Sequence, residues 1–106
     1  MKYTAMIMMQ ECKKECKSVL QHYIQEEDCT QIVLLCKEEE IYEALQFSKD
    51  GHIVFVLAGD TWEESLYNGL KAAQEEFVKI HGKEMVSTQT ALYQLHQKQK
   101  AQFAFL

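Results

Sequence analysis

Four polar residues could together form a ligand site: Glu11, Lys37, Asp60 and Thr61. Glu11 and Lys37 each follow an apolar run closely, and Asp60 and Thr61 lie just beyond a third such run. Carboxylate oxygens suit divalent cations such as Mg²⁺, and a lysine ammonium binds phosphate as a point charge. If the three runs are parallel strands, their carboxyl ends share one edge of a sheet, where ligands bind in open α/β folds. We therefore predict a divalent-cation or small-ligand site at that edge.

The same carboxylates have a purely structural interpretation. Asp60 with Glu63, and Thr61 with Glu64, both match the spacing of a capping box, in which side chains satisfy the first N–H groups of a helix. Glu11 lies at the start of a predicted helix, where a negative charge is favourable. This interpretation predicts that Glu11 and Asp60 stabilise helix ends and bind nothing.

Cysteine chemistry is the next possibility, since there are four cysteines: Cys12, Cys16, Cys29 and Cys36. Cys12 follows a predicted strand at the start of a helix, a position that can lower the pKa of a thiol. The loop around it has no glycine to wrap an anion, and the neighbouring Glu11 raises that pKa. Zinc sites usually pair C-x2-C motifs, which are absent. We predict reduced thiols that pack in the core, and no metal ligand.

Enzyme motifs are also missing from the chain. It contains no phosphate-binding loop, no G-x-G-x-x-G turn, no G-x-S-x-G elbow and no H-E-x-x-H pair. We therefore predict no catalytic residue, no cofactor and no enzymatic activity.

Charge limits the choice of partner. The net charge is −5, with 11 Lys and Arg together against 16 Asp and Glu, and every one of the 11 is lysine. Nucleic-acid affinity comes from basic groups that neutralise phosphates, so a nucleic-acid partner is not expected. The apolar runs are too short to span a bilayer and no secretory leader is recognisable, so we expect a cytoplasmic protein without a membrane partner.

Strand and helix patterns alternate along the chain. Continuous apolar runs over Tyr3–Met9, Ile32–Cys36 and His52–Leu57 are typical of strands buried on both faces. Amphipathic spacing predicts one helix over Glu11–Glu26 and a long one over Trp62–Ile80. The pattern predicts an α/β fold with a three-stranded, mainly parallel sheet in the order 2-1-3, the flavodoxin-like half. The alternative is a ferredoxin-like α+β sheet, whose fourth strand would come from residues 85–88.

We expect a single α/β domain over residues 1–106, with a core over 1–82 and a C-terminal helical extension over about 88–106. This extension is rich in apolar side chains, which a helix at a chain end leaves exposed unless they dock on something. A second copy of the chain is the simplest partner. We therefore predict a homodimer whose interface contains Leu92, Leu95, Phe103, Phe105 and Leu106.

The stretch Tyr3–Asp60 resembles the first half of a bacterial receiver domain, through Glu11, the EALQF segment at 43–47 and the HIVFVLAGD run at 52–60. In that family an acidic pair follows the first strand and a phosphoaccepting Asp ends the third. The resemblance implies a divalent-cation site that includes Glu11 and Asp60. Gln10 stands where one acid is expected, so a receiver-like but degenerate domain is implied.

The sequence features described above predict two alternative functions. The first is a small acidic, non-enzymatic protein-binding module that acts as a regulator, adaptor or inhibitor of another protein. The alternative is a degenerate receiver-like domain that binds a divalent cation or small ligand at the carboxyl edge of its sheet. An open cavity that brings together Glu11, Lys37 and Asp60 would favour the alternative, whereas a filled edge with an exposed apolar patch would favour the binding module.

Overall fold

Strands and helices alternate along most of the chain. The structure is a computed structural model that describes residues 1–47 and 52–103. Its strands are β1 (Tyr3–Met8), β2 (Cys29–Cys36), β3 (Ile53–Leu57), β4 (Phe77–Ile80) and β5 (Met85–Ser87). Its α-helices are α1 (Met9–Cys12), α2 (Cys16–Gln25), α3 (Ile41–Ala44), α4 (Trp62–Ala72) and α5 (Thr88–Phe103). Short 3₁₀ turns cover Lys13–Glu15, Glu38–Glu40 and Leu45–Phe47.

The sheet has five strands in the order β3-β2-β1-β4-β5. The first four strands are parallel and β5 is antiparallel to β4. The α/β class is as predicted, but the three-stranded sheet in the order 2-1-3 is wrong, and the five-stranded, mainly parallel sheet also excludes the ferredoxin-like alternative. From β1 the chain adds β2 and then β3 on one side of the sheet, and α4 leads back to the other side of β1, where β4 pairs. The prediction had placed β3 in the position that β4 occupies.

The second error concerns the long helix predicted over Trp62–Ile80. Helix α4 ends at Ala72, and Ala73 has an extended backbone, with φ −67° and ψ 129°. The rest of the predicted helix includes β4, whose Val78 is completely buried against β1. The open side of β1 needs hydrogen-bond partners for its backbone, and the aromatic and β-branched residues of β4 suit a strand.

The third error concerns the helix predicted over Glu11–Glu26, which is broken. Lys13 has a φ of 39°, the only positive φ among the described non-glycine residues, and the chain passes there from α1 into a 3₁₀ turn. Most of the predicted apolar stripe is nevertheless buried, with Cys12, Cys16 and Leu20 at 8%, 2% and 1% exposure, whereas Ile24 at its end is 40% exposed. Burial of the stripe was therefore predicted correctly for most of its residues although the helix is not continuous.

Each face of the sheet has its own core. On one face, α1, α2 and α3 cover residues such as Ile7, Ile32 and Leu34. On the other face, α4 and α5 cover Met6 and Leu35. Helices on both faces of a mainly parallel sheet define a doubly wound α/β arrangement, in which the carboxyl ends of the parallel strands share one edge.

Helix α5 follows β5 directly, and it covers Thr88–Phe103 of the segment in which a C-terminal helix was expected. The Ser87 hydroxyl accepts a hydrogen bond from the Thr90 N–H at 3.0 Å, so Ser87 caps the helix. Ala91 and Leu95 are buried in the core cluster on the α4 side of the sheet. None of the described helices is long and apolar enough to cross a membrane.

Candidate functional site

A small cavity of about 140 Å³ lies at the carboxyl edge of the sheet. It lies where β1, β2 and β3 end and where α4 begins. All four predicted site residues line it: Glu11, Lys37, Asp60 and Thr61. The other five lining residues are Met8, Gln10, Gly59, Trp62 and Ser65. The sheet order was predicted wrongly, yet these ends still meet, because β1, β2 and β3 are parallel and adjacent. We call this space the edge cavity.

Two carboxylates line the edge cavity and have no partner in the part of the chain that the structure describes. Glu11 follows β1 in the first turn of α1, and Asp60 follows β3 in the turn before α4. Within residues 1–47 and 52–103, neither carboxylate makes a hydrogen bond or an ion pair. With Lys37 the lining has a formal charge of −1. The cavity is therefore suited to a cation, or to a ligand that brings a cation with it.

The helix cap beside the cavity uses Thr61 and not Asp60. The Thr61 hydroxyl accepts a hydrogen bond from the Glu64 N–H at 3.1 Å. The Glu64 carboxylate in turn accepts one from the Asp60 N–H at 3.1 Å. The structural interpretation of Asp60 as a cap is therefore wrong for its carboxylate. The predicted ligand role of Thr61 competes with its cap, since the hydroxyl already has a backbone donor.

Gly59 gives the turn before α4 its shape. The Ser65 hydroxyl lies 2.9 Å from the Gly59 N–H and accepts its hydrogen bond. A Cβ atom at position 59 would collide with the side chain of Glu64. A larger residue would push Glu64 away and disturb the turn that places Asp60. The two hydroxyls of the cavity, on Thr61 and Ser65, are thus both engaged with backbone groups.

Trp62 and Lys83 are not among the predicted site residues. Trp62 lines the edge cavity and also a second cavity of about 300 Å³ between α4, the β4–β5 hairpin and α5. The Lys83 ammonium lies 5.0 Å from the centroid of the Trp62 ring, within cation–π range. Lys83 could not be predicted to approach Trp62, because the pattern assigned the residues before it to a helix instead of a hairpin.

The cysteines do not form a site. All four are buried and free, and none lines the edge cavity. The Cys12 thiol contacts the Met9 carbonyl oxygen at 3.6 Å, within its own helix. Burial raises the pKa of the Cys29 and Cys36 thiols. No cluster of three or more His, Cys, Asp or Glu side chains that could hold a metal ion occurs in the part of the chain that the structure describes.

The predicted dimer residues of α5 have different environments. Leu95 is buried at 5% exposure against the chain's own sheet, and Leu92 is partly buried in the same cluster. The backbone of Phe103 is the last of α5, whereas Phe105 and Leu106 lie outside the described residues. Homodimerisation through this segment stays a prediction, and Leu92 and Leu95 already have partners within the chain.

Comparisons with known proteins establish a fold and no family. No family model matches the sequence, and no curated protein matches it. Among solved structures, the chain is similar to the crystal structure of 4-diphosphocytidyl-2C-methyl-D-erythritol synthase from Anaerococcus prevotii DSM 20548, with a TM-score of 0.64 and 22% sequence identity. The match covers 76% of this chain and 42% of that chain. This chain therefore shares its fold with an enzyme and spans less than half of that enzyme's length.

Proposed function

We propose that this protein binds a small polar ligand in the edge cavity without transforming it. The supporting observation is that two carboxylates, Glu11 and Asp60, lie in one cavity at the carboxyl edge of a doubly wound sheet and have no partner among the described residues. Such edges are the usual ligand sites of open α/β folds. The negative lining favours a divalent cation, alone or with an anionic ligand whose charge the cation offsets.

The proposed role is binding because the described residues that line the cavity offer no free hydroxyl, thiol or imidazole. The hydroxyls of Thr61 and Ser65 are engaged with backbone groups of the turn, and no cysteine or histidine lines the space. Covalent catalysis needs a nucleophile beside a general base. The similar solved structure is named for a diphosphocytidyl product, so a cytidine nucleotide with Mg²⁺ is the first organic ligand to test.

The test is a thermal-shift titration with MgCl₂ alone, with cytidine diphosphate alone, and with the two together. A ligand at 100 times its Kd stabilises the native state by about 2.7 kcal/mol, which is several degrees in Tm for a domain of this size. We expect a rise in Tm with Mg²⁺, alone or with the nucleotide, and no rise with the nucleotide alone.

Two variants test whether the ligand binds in the edge cavity. Asp60→Asn and Glu11→Gln keep the shape of each side chain and remove its charge, so each should abolish the rise in Tm. Glu27→Gln is the matched control, because Glu27 is an exposed carboxylate in the turn between α2 and β2, away from the cavity. A rise that persists in both cavity variants, or no rise with any of the three additions, would overturn the proposal.

A second candidate function is protein binding, and an exposed aromatic surface favours it. Tyr67 on α4 and Tyr93 on α5 are 43% and 65% exposed and line one depression of about 340 Å³. Exposed tyrosines are enriched at protein interfaces.

Affinity capture with the wild-type chain should then recover a partner protein, and capture with the Tyr93→Ser variant should not recover it. Tyr42→Ser is the control, since Tyr42 is 85% exposed on α3. Identical captured proteins for all three chains would contradict this candidate.

A further inference from the structure

The outer edge of β3 has the properties of an association site. Strand β3 is the end strand of the sheet, and within the described residues it pairs on one side only, with β2. Its pairing with β2 runs in regular register from Ile53 to Leu57 with no bulge. An edge strand presents a row of backbone groups that another strand can bind, and proteins normally protect such rows with charges, proline, bulges or short strands.

None of these protections is present on β3. The segment from Ile53 to Gly59 contains no Asp, Glu, Lys or Pro. Val54 and Leu57 are large apolar side chains that are 37% and 57% exposed. The opposite edge of the sheet differs, because β5 has only three residues and leads directly into α5. The two edges are therefore unequal, and β3 is the open one.

The hydrogen bonds to β2 identify which backbone groups face outward. The Ile32 N–H donates to the His52 carbonyl oxygen at 2.8 Å, and the Ala58 N–H donates to the Cys36 carbonyl oxygen at 2.9 Å. Residues that alternate along a strand direct their backbone groups to opposite sides. The even-numbered residues of β3 thus face β2, and Ile53, Phe55 and Leu57 direct their N–H and C=O groups away from it. The Leu57 carbonyl oxygen accepts a hydrogen bond from the Asn68 side chain at 3.2 Å.

We propose that this edge binds the same edge of a second copy of the chain, in antiparallel orientation about a twofold axis at Phe55. The outward residues are spaced symmetrically around Phe55, so this register pairs Phe55 with its counterpart and Ile53 with Leu57 of the second copy. Every outward N–H then faces an outward carbonyl oxygen, and the Leu57 oxygen, which already accepts from Asn68, uses its second lone pair. The two sheets join into one sheet of ten strands.

The uncharged edge is the surface on which two copies meet with the least repulsion. Each chain has a net charge of −5, so two copies repel each other over most of their surfaces. The residues that this register pairs, Ile53 to Leu57, carry no charged side chain, so the paired strands place no like charges opposite each other. The surface beside the edge is also apolar: Leu45 and Leu57 line a cavity of about 150 Å³ together with Phe55. A stable interface needs about 800 Å² from each partner, and this surface extends the contact beyond the strand itself.

Light scattering after size exclusion tests the proposal with matched variants. The wild-type chain at tens of micromolar should have the mass of a dimer. Val54→Lys and Leu57→Lys each place a charge at an exposed position of the edge, and both should give monomers. Met85→Lys makes the same kind of change on β5, where Met85 is 38% exposed, and should leave the dimer intact.

Amide hydrogen exchange on the wild-type chain tests the register without any variant. Between dilute and concentrated samples, the amides of Ile53, Phe55 and Leu57 should exchange at least about tenfold more slowly in the concentrated one. The amides of Val54 and Val56 already bind β2 and should not change. A monomeric wild-type chain would overturn the proposal. A dimer in which the three outward amides exchange equally fast at both concentrations would also overturn it, and would favour the helical segment over residues 90–106.

Discussion

The hydroxyl of Thr4 donates a hydrogen bond of 2.7 Å to the amide oxygen of Gln31, between two neighbouring strands inside the molecule. Both side chains are buried, Thr4 at 0% and Gln31 at 4% exposure. The Gln31 oxygen also accepts from the Gln74 N–H at 2.9 Å, and its amino group donates to the Ala72 carbonyl oxygen at 3.0 Å. This pair therefore holds the turn through which α4 passes into β4.

Gln31→Leu should destabilise the protein more than Thr4→Val. Gln31→Leu removes the partner of the part-buried Ala72 carbonyl and Gln74 N–H, and it leaves the buried Thr4 hydroxyl with only the Glu75 N–H, at 3.4 Å. A group that is left unpaired away from water costs about 1–3 kcal/mol. Thr4→Val removes one hydroxyl with little change of shape and leaves only the Glu75 N–H, at 3.4 Å, without its acceptor, so it should cost about 1 kcal/mol. Urea unfolding followed by circular dichroism gives both values. Equal losses in the two variants would contradict the role of Gln31 as the centre of this network.

The helix cap at α4 gives a prediction that separates two neighbouring residues. Thr61→Ala should lower the free energy of unfolding by about 1 kcal/mol, because it removes the acceptor of the Glu64 N–H. Asp60→Ala should change it little, because the Asp60 carboxylate makes no hydrogen bond within the described residues. Urea midpoints of the two variants, compared with the wild-type chain, decide this. A larger loss of unfolding free energy for Asp60→Ala than for Thr61→Ala would show that the Asp60 carboxylate is the cap.

The sequence predicts local patterns of this protein better than their long-range arrangement. The three apolar runs are strands and most of the stripe of α2 is buried, because burial depends on residue type and spacing over a few positions. The order of the strands depends on how far each connection reaches, which a pattern does not encode. For Phe77–Ile80, a spacing that suits a helix competes with residues that suit a strand, and pairing with β1 decides for the strand.

The candidate site was predictable for the same local reason. Glu11, Lys37 and Asp60 follow three parallel strands, and the carboxyl ends of such strands share an edge whatever their order. Lys83 was not predictable, because its position beside Trp62 depends on the hairpin between β4 and β5. The sequence does contain one local indication of that hairpin, since Gly82 lies between two runs with strand-forming residues. In the structure this glycine has a φ of 87°.

Stability should fall in alkaline solution as a buried tyrosine ionises. Burial, together with the nearby Cys29, Glu26, Tyr23 and Asp28, raises the pKa of Tyr3 from 10.0 to about 12. The folded state therefore holds the phenol proton more tightly than the unfolded state does. This contribution is complete below pH 10 and is lost as the pH rises from 10 to 12. Urea midpoints measured across this range should fall, and the fall should be smaller in Tyr3→Phe. An equal fall in both proteins would rule out Tyr3 as its source.

Thiol reactivity tests the core assignment of the four cysteines. Burial raises the pKa of the Cys29 and Cys36 thiols, and the hydrogen bond to Cys12 together with burial raises that of Cys16. The neighbouring Cys16 thiol lowers the pKa of Cys12, so Cys12 should react first. Because the thiolate is the reactive form, a polar disulfide reagent at pH 8 should label the native protein slowly and the denatured protein at all four cysteines.

Cys12→Ser identifies the first thiol to react and supplies the control for the labelling experiment. The substitution should remove the fastest phase of native labelling, whereas Cys36→Ser, at a cysteine in the same core cluster, should leave that phase unchanged. Because all four thiols are at most 8% exposed, even this phase should be slow compared with the labelling of the denatured chain. Rapid native labelling of two or more cysteines would mean that the layer of α1 and α2 opens readily from the sheet, against the packing described above.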